Sequence, residues 1–176
     1  MAPPAPEPVL AEAGVVRGEW DVVAIRAWMH ALDYASADRL DGRLRPWLED
    51  ARDRGWLGPK TIVVLPEYLG TWLVALGEPA GNFEAPSRSK AMRGLVLRHL
   101  PSFLAARWGA PAEDPDTYAV FASRAGAMVA AYQRVMSGLA RDFSVTRVAG
   151  SILLPGPAGR DDHRGPGGAA PASRPP

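Results

Sequence analysis

The run Ile62-Val63-Val64-Leu65 passes straight into Pro66 and Glu67, and it limits the folds open to this chain more than any other stretch. Four consecutive apolar residues, three of them β-branched, describe a strand buried on both faces, as strands of parallel sheets are. Pro66 has no N–H to give to a ladder, so it closes the strand and leaves Glu67 at the carboxyl end. In open α/β sheets, ligands and reacting groups gather at that end. Glu67 is therefore a candidate catalytic carboxylate. The competing reading is a solvated loop acid or a helix N-terminal charge, since Glu is seldom buried without a partner.

The flanking segments supply the rest of an α/β unit. Residues 20–27 carry Val22, Val23 and Ile25 and predict a first strand. Trp28, Met29, His30 and Tyr34 follow, at the same sheet end as Glu67 if the two strands are parallel, where aromatics either wall a pocket or join the core. Residues 36–54 place Leu40, Leu44, Trp47, Leu48 and Ala51 on one helical face, with Ser36 or Asp38 as cap and Gly55 as stop. Pro46 requires either a kink or a helix starting near residue 45. Gly58-Pro59 then turns the chain into the Glu67 strand, completing a βαβ unit whose crossover is right-handed.

Downstream, residues 73–88 read as mostly irregular after a short helix. Residues 89–108 read as a helix divided by Pro101, basic through Arg88, Lys90, Arg93, Arg98 and Arg107; a solvated arginine face accounts for this better than a membrane-surface helix. His99 reads as a packed or capping histidine. Residues 117–143 give the longest helix, with Phe121, Met128, Val129, Tyr132, Val135, Met136, Leu139 and Phe143 stepping along a core face. Residues 145–154 predict a third strand that contains Gly150 and Ser151.

Composition removes several classes of function. The 176-residue chain has a formal net charge of +1, which gives no electrostatic case for nucleic acid or an anionic membrane. It has no cysteine, hence no disulfide, thiolate metal site or thiol nucleophile, and its three histidines lack ligand spacing. No metal and no cofactor is expected, and neither phosphate-binding glycine motifs nor a serine-nucleophile motif occurs. Residues 1–18 and 156–176 are rich in Pro, Ala and Gly and are expected to be disordered arms around a folded domain over 19–155. Without a signal-peptide pattern or a run of about 20 apolar residues, the expected location is cytoplasmic.

The segment from Val63 to Tyr68, with Pro66 and Glu67 at its centre, resembles the signature of the carbon–nitrogen hydrolase (nitrilase) superfamily. The order around it agrees: a first strand through Val22, a later helix through Leu139, Ala140 and Arg141, and then Val148-Ala149-Gly150-Ser151-Ile152, similar to the family's Ala-Gly-Ser strand. The resemblance covers residues 20–154, roughly the first half of the family's domain. It implies part of an αββα sandwich, a homo-oligomer, and hydrolysis of a small amide or nitrile by a Glu-Lys-Cys triad, with Glu67 as general base. Tyr68 and Trp72, with Trp28 and Tyr34, would rim an apolar substrate pocket.

This chain departs from that pattern in having no cysteine, and neither Lys60 nor Lys90 lies in a matching motif. The expectation is a truncated hydrolase, inactive alone, with residues 158–176 a frameshifted or foreign end. Half a sandwich should also leave free strand edges and an uncovered apolar face. The alternatives are a non-catalytic α/β interaction or binding module, and an unrelated α/β domain in which Glu67 merely caps a helix.

Overall fold

A computed structural model describes residues 20–110 and 113–155; the two predicted terminal arms, 1–18 and 156–176, lie outside the described residues. Three short strands, β1 (Asp21–Ala24), β2 (Thr61–Val64) and β3 (Thr146–Val148), form one parallel sheet in the order β1-β2-β3. Val23 pairs with Val63, and Val63 with Arg147. Strands in this order, joined by right-handed crossovers, carry their connecting helices on the same face. The helices concerned are α1 (Ala37–Asp53) and α5 (Pro115–Asp142), which pack on each other.

Alternation along β2 shows the consequence. Thr61, Val63 and Leu65 are buried under the helices beside Leu40, Leu44, Leu48, Met128 and Leu139. Ile62 and Val64 point the other way and are half-buried, and their neighbour Val22 is 66% exposed. The fold is thus α/β with one covered and one open sheet face; among the described residues there is a single sheet, where a complete sandwich has two. Thr61 is buried without penalty because its hydroxyl donates to the Trp56 carbonyl at 3.2 Å and accepts from the Gly58 N–H at 2.8 Å.

Helix α1 is continuous through Pro46. It starts at Ala37 and not near residue 45; Pro46 and Gly42, whose carbonyl loses its helical donor, both lie on the exposed side where water can replace the bond. Ser36 caps the helix by accepting from the Arg39 N–H at 3.2 Å. The predicted break at Pro101 falls at His99 instead. Helix α3 (Arg88–Arg98) ends there and α4 (Leu100–Trp108) begins with Pro101 in its first turn, where a missing N–H costs nothing. Residues 73–88 hold the end of a 3-10 helix (Thr71–Ala75) and the single turn α2 (Ala80–Phe83). No helix among the described residues is long and apolar enough to cross a membrane.

The third strand is three residues long rather than the ten predicted. Past Val148 the chain leaves the sheet, and Gly150 takes φ +71°. The Tyr132 hydroxyl donates to the carbonyls of Ala149 and of Gly150, the latter at 2.9 Å, so these oxygens are satisfied from α5 and not by a neighbouring strand.

Candidate functional site

Beyond β2, the chain passes through Leu65 and Pro66 and reverses at Glu67 and Tyr68, the latter at φ +60°. This turn is fastened to the segment after β3. The Tyr68 N–H donates to the Ser151 hydroxyl at 2.8 Å, the Gly70 N–H donates to the Ser151 carbonyl at 3.0 Å, and the Leu153 N–H donates to the Thr71 hydroxyl at 3.1 Å. Gly150 lies against the Pro66 carbonyl so closely that a methyl on its Cα would sit 2.1 Å from that oxygen. A methyl on Gly70 would lie 2.7 Å from the Tyr132 ring and 2.9 Å from the Ile152 side chain. The Pro-Glu-Tyr and Ala-Gly-Ser stretches, 83 residues apart between Tyr68 and Ser151, thus form one interlocked rim at the carboxyl end of the sheet.

Burial raises the pKa of the Tyr132 phenol that braces this rim, an effect partly offset by Arg147, so it remains a donor to its two carbonyls. Arg147 is itself pushed down by burial; it donates to the Met136 carbonyl at 3.2 Å, while its Nε is enclosed with no partner among the described residues.

The sequence-predicted site residues do not all converge. Glu67 is exposed on the rim and makes no hydrogen bond or ion pair among the described residues; the cap of the 3-10 helix that follows is Gly70, not Glu67. Tyr68 and Trp72 are both about half exposed. Trp72 joins Met29, His30 and Tyr34 around a cavity of about 380 Å³ that Phe83 and Leu95 also line. Glu67, Tyr68 and Trp28 do not line it. The expectation that aromatics after the first strand wall a pocket therefore holds for Tyr34 but not for Trp28, whose carbonyl instead accepts from the Arg43 Nε at 2.7 Å. No three His, Asp or Glu side chains among the described residues are grouped to hold a metal ion.

Tyr34 is buried, and burial, with a smaller contribution from Asp33, raises its pKa from 10.0 to about 12. The folded state prefers the neutral phenol, so this contribution to stability is intact below pH 10 and is lost as pH rises through about 12. A two-unit shift corresponds to at most about 3 kcal/mol. Urea denaturation between pH 9 and 12 should show that decline, and Tyr34→Phe should flatten it.

A second polar group was not legible in the sequence. The Glu78 carboxylate, from the stretch read as irregular, is buried with Oε1 3.0 Å from His99 Nε2 and Oε2 3.4 Å from Arg98 Nε; the latter oxygen also accepts from Asn82 Nδ2 at 3.3 Å. Arg124 Nη1 lies 3.4 Å from His99 Nδ1, and the same guanidinium donates to the carbonyls of Val74 and Leu76. Burial lowers the Arg124 pKa and Glu78 counteracts it. Every contact in this group has a partner, and it joins α3, α5 and the 3-10 helix; its evident role is to tie those elements together. His99, read from the sequence as a packed or capping histidine, stands at the junction where α3 ends and α4 begins, with its ring between Glu78 and Arg124.

No family model matches the chain, and comparison with curated proteins and with solved structures likewise gave no match.

Proposed function

We propose that this chain is the glutamate-bearing part of a carbon–nitrogen hydrolase-type domain, in which Glu67 would serve as general base for a thiol nucleophile. The observation that supports this reading most is the interlocked rim: the two motif stretches that carry the family resemblance meet at the carboxyl end of one parallel sheet, with Glu67 at the tip of the central strand. The open sheet face, where Val22 lies exposed, is the face a second sheet would cover in a sandwich. On this reading Glu67 takes the proton of a cysteine as its sulfur attacks an amide or nitrile carbon, and a lysine steadies the charge that develops on the substrate. This chain has no cysteine, so it cannot form the thioester unaided, and both remaining groups must come from other polypeptide.

The test is to read the coding sequence beyond the Leu154 codon in every frame and to express the longest product. Lysine- and cysteine-bearing strand ends in that product, hydrolysis of simple amides or nitriles, and a loss of about 100-fold or more in kcat with Glu67→Gln are the expected results. Absence of those motifs in all frames overturns the reading. The same open face, together with the solvated position of Glu67, favours as second reading a non-catalytic module that binds a partner over its sheet. A partner that co-purifies with the chain and is lost on Val22→Lys, with no hydrolysis in any product, would establish that instead.

A further inference from the structure

The cavity around Tyr34 carries a property that the hydrolase reading does not use. Its volume, about 380 Å³, falls within the range of small-molecule sites, and its walls come from the segments after β1 and after β2 at the ligand-gathering end of the sheet. No Asp, Glu, Lys or Arg lines it. A cationic ligand would find no carboxylate there, and an anionic one no Lys or Arg. Tyr34 is 5% exposed and lines the cavity, yet its hydroxyl has no hydrogen-bond partner among the described residues. The enclosed, unpartnered side-chain polar atom found among those residues is Arg147 Nε; the Tyr34 hydroxyl therefore keeps some access, on a side chain that lines the cavity. A phenol in that position, without an acceptor among the described residues, is free to donate to a ligand that enters.

We propose that this cavity binds a neutral small molecule with an aromatic or branched aliphatic body and a hydrogen-bond acceptor placed against the Tyr34 hydroxyl. The assignment concerns binding alone and holds whether or not Glu67 belongs to a hydrolase.

Saturation-transfer NMR on the full chain tests it with three probes of closely similar shape: 4-phenyl-2-butanone, butylbenzene and 3-phenylpropanoate. For a ligand of about eleven heavy atoms, saturable binding of the ketone is expected in the millimolar range. The carboxylate should bind at least about tenfold more weakly. Tyr34→Phe should weaken the ketone about five- to tenfold and leave butylbenzene unweakened, since that probe has no acceptor to lose. Ala91→Trp, which fills the cavity from its wall, should abolish binding of both, whereas Val22→Lys on the open sheet face should change neither. Absence of ketone binding, an unchanged ketone affinity in Tyr34→Phe, or binding that survives Ala91→Trp but is lost in Val22→Lys each overturns the proposal. The last outcome would locate the probe on the sheet face.

Discussion

Gly150→Ala is expected to destabilise the protein by about 2–4 kcal/mol, or to detach residues 149–153 from the rim while the rest stays folded. Two costs coincide there. The backbone sits at φ +71°, where an L-residue pays about 1 kcal/mol, and the new methyl would lie 2.1 Å from the Pro66 carbonyl oxygen. That oxygen belongs to the backbone of the turn that carries Glu67, so relief of the clash must move either the turn or the segment bonded to it through Ser151. Gly55→Ala separates the two costs. Gly55 has φ +75° at the end of α1, but open space where its methyl would go, so its substitution should cost only about 1 kcal/mol. Urea denaturation gives both values, and amide exchange at Tyr68 reports whether the rim has opened. Equal losses at the two glycines would mean that the close approach to Pro66 carries no energetic weight.

The second large effect concerns the Glu78 group, and its size should depend on which partner is removed. His99 lies between the two charged partners, its Nε2 3.0 Å from Glu78 Oε1 and its Nδ1 3.4 Å from Arg124 Nη1. His99→Leu leaves the carboxylate, whose side chain is 1% exposed, with two longer contacts to Arg98 and Asn82. A buried charge stripped of its best partner costs about 3 kcal/mol. Glu78→Gln removes the buried charge itself and leaves cations that water can reach, since the Arg98 side chain is 53% exposed; the expected loss is about 1–2 kcal/mol. Thermal or urea denaturation of the two variants and of the double variant measures both losses and their coupling. A larger loss for Glu78→Gln than for His99→Leu would show that the desolvated carboxylate is not the liability the geometry makes it.

The elements that could be read from residue order are those whose causes are local. An apolar β-branched run stopped by proline gives β2, a stripe stepping by three or four gives α5, and a serine three residues ahead of an orphan N–H gives the start of α1. Pro101 misled because proline forbids helix interiors but suits first turns, and which of the two applied depended on where α3 stopped. The length of β3 was not legible: residues 149–154 retain strand-like composition, and what ends the strand is a phenol reaching in from α5. Of the candidate site, the position of Glu67 at the strand tip was visible beforehand, whereas the sequence left Tyr34 open between pocket wall and core, and it is both buried and part of the wall. That the cavity excludes Glu67 and Tyr68 was not, because a side chain's direction after a turn depends on the turn's dihedrals.

Hydrophobic period, capping chemistry and the missing thiol are properties of residue type and spacing, so they settle the α/β class, the order of the elements and the inability of this chain to form a thioester unaided. Contacts between distant residues did the rest. The joining of Ser151 to Tyr68, the linking of Glu78, His99 and Arg124, and the bare face around Val22 follow from strand order and crossover direction, which no local window contains. Side chains far apart in the chain meet where packing brings them, and that meeting place decides which polar groups find a partner and which, like the Tyr34 hydroxyl, sit on a side chain that lines a cavity.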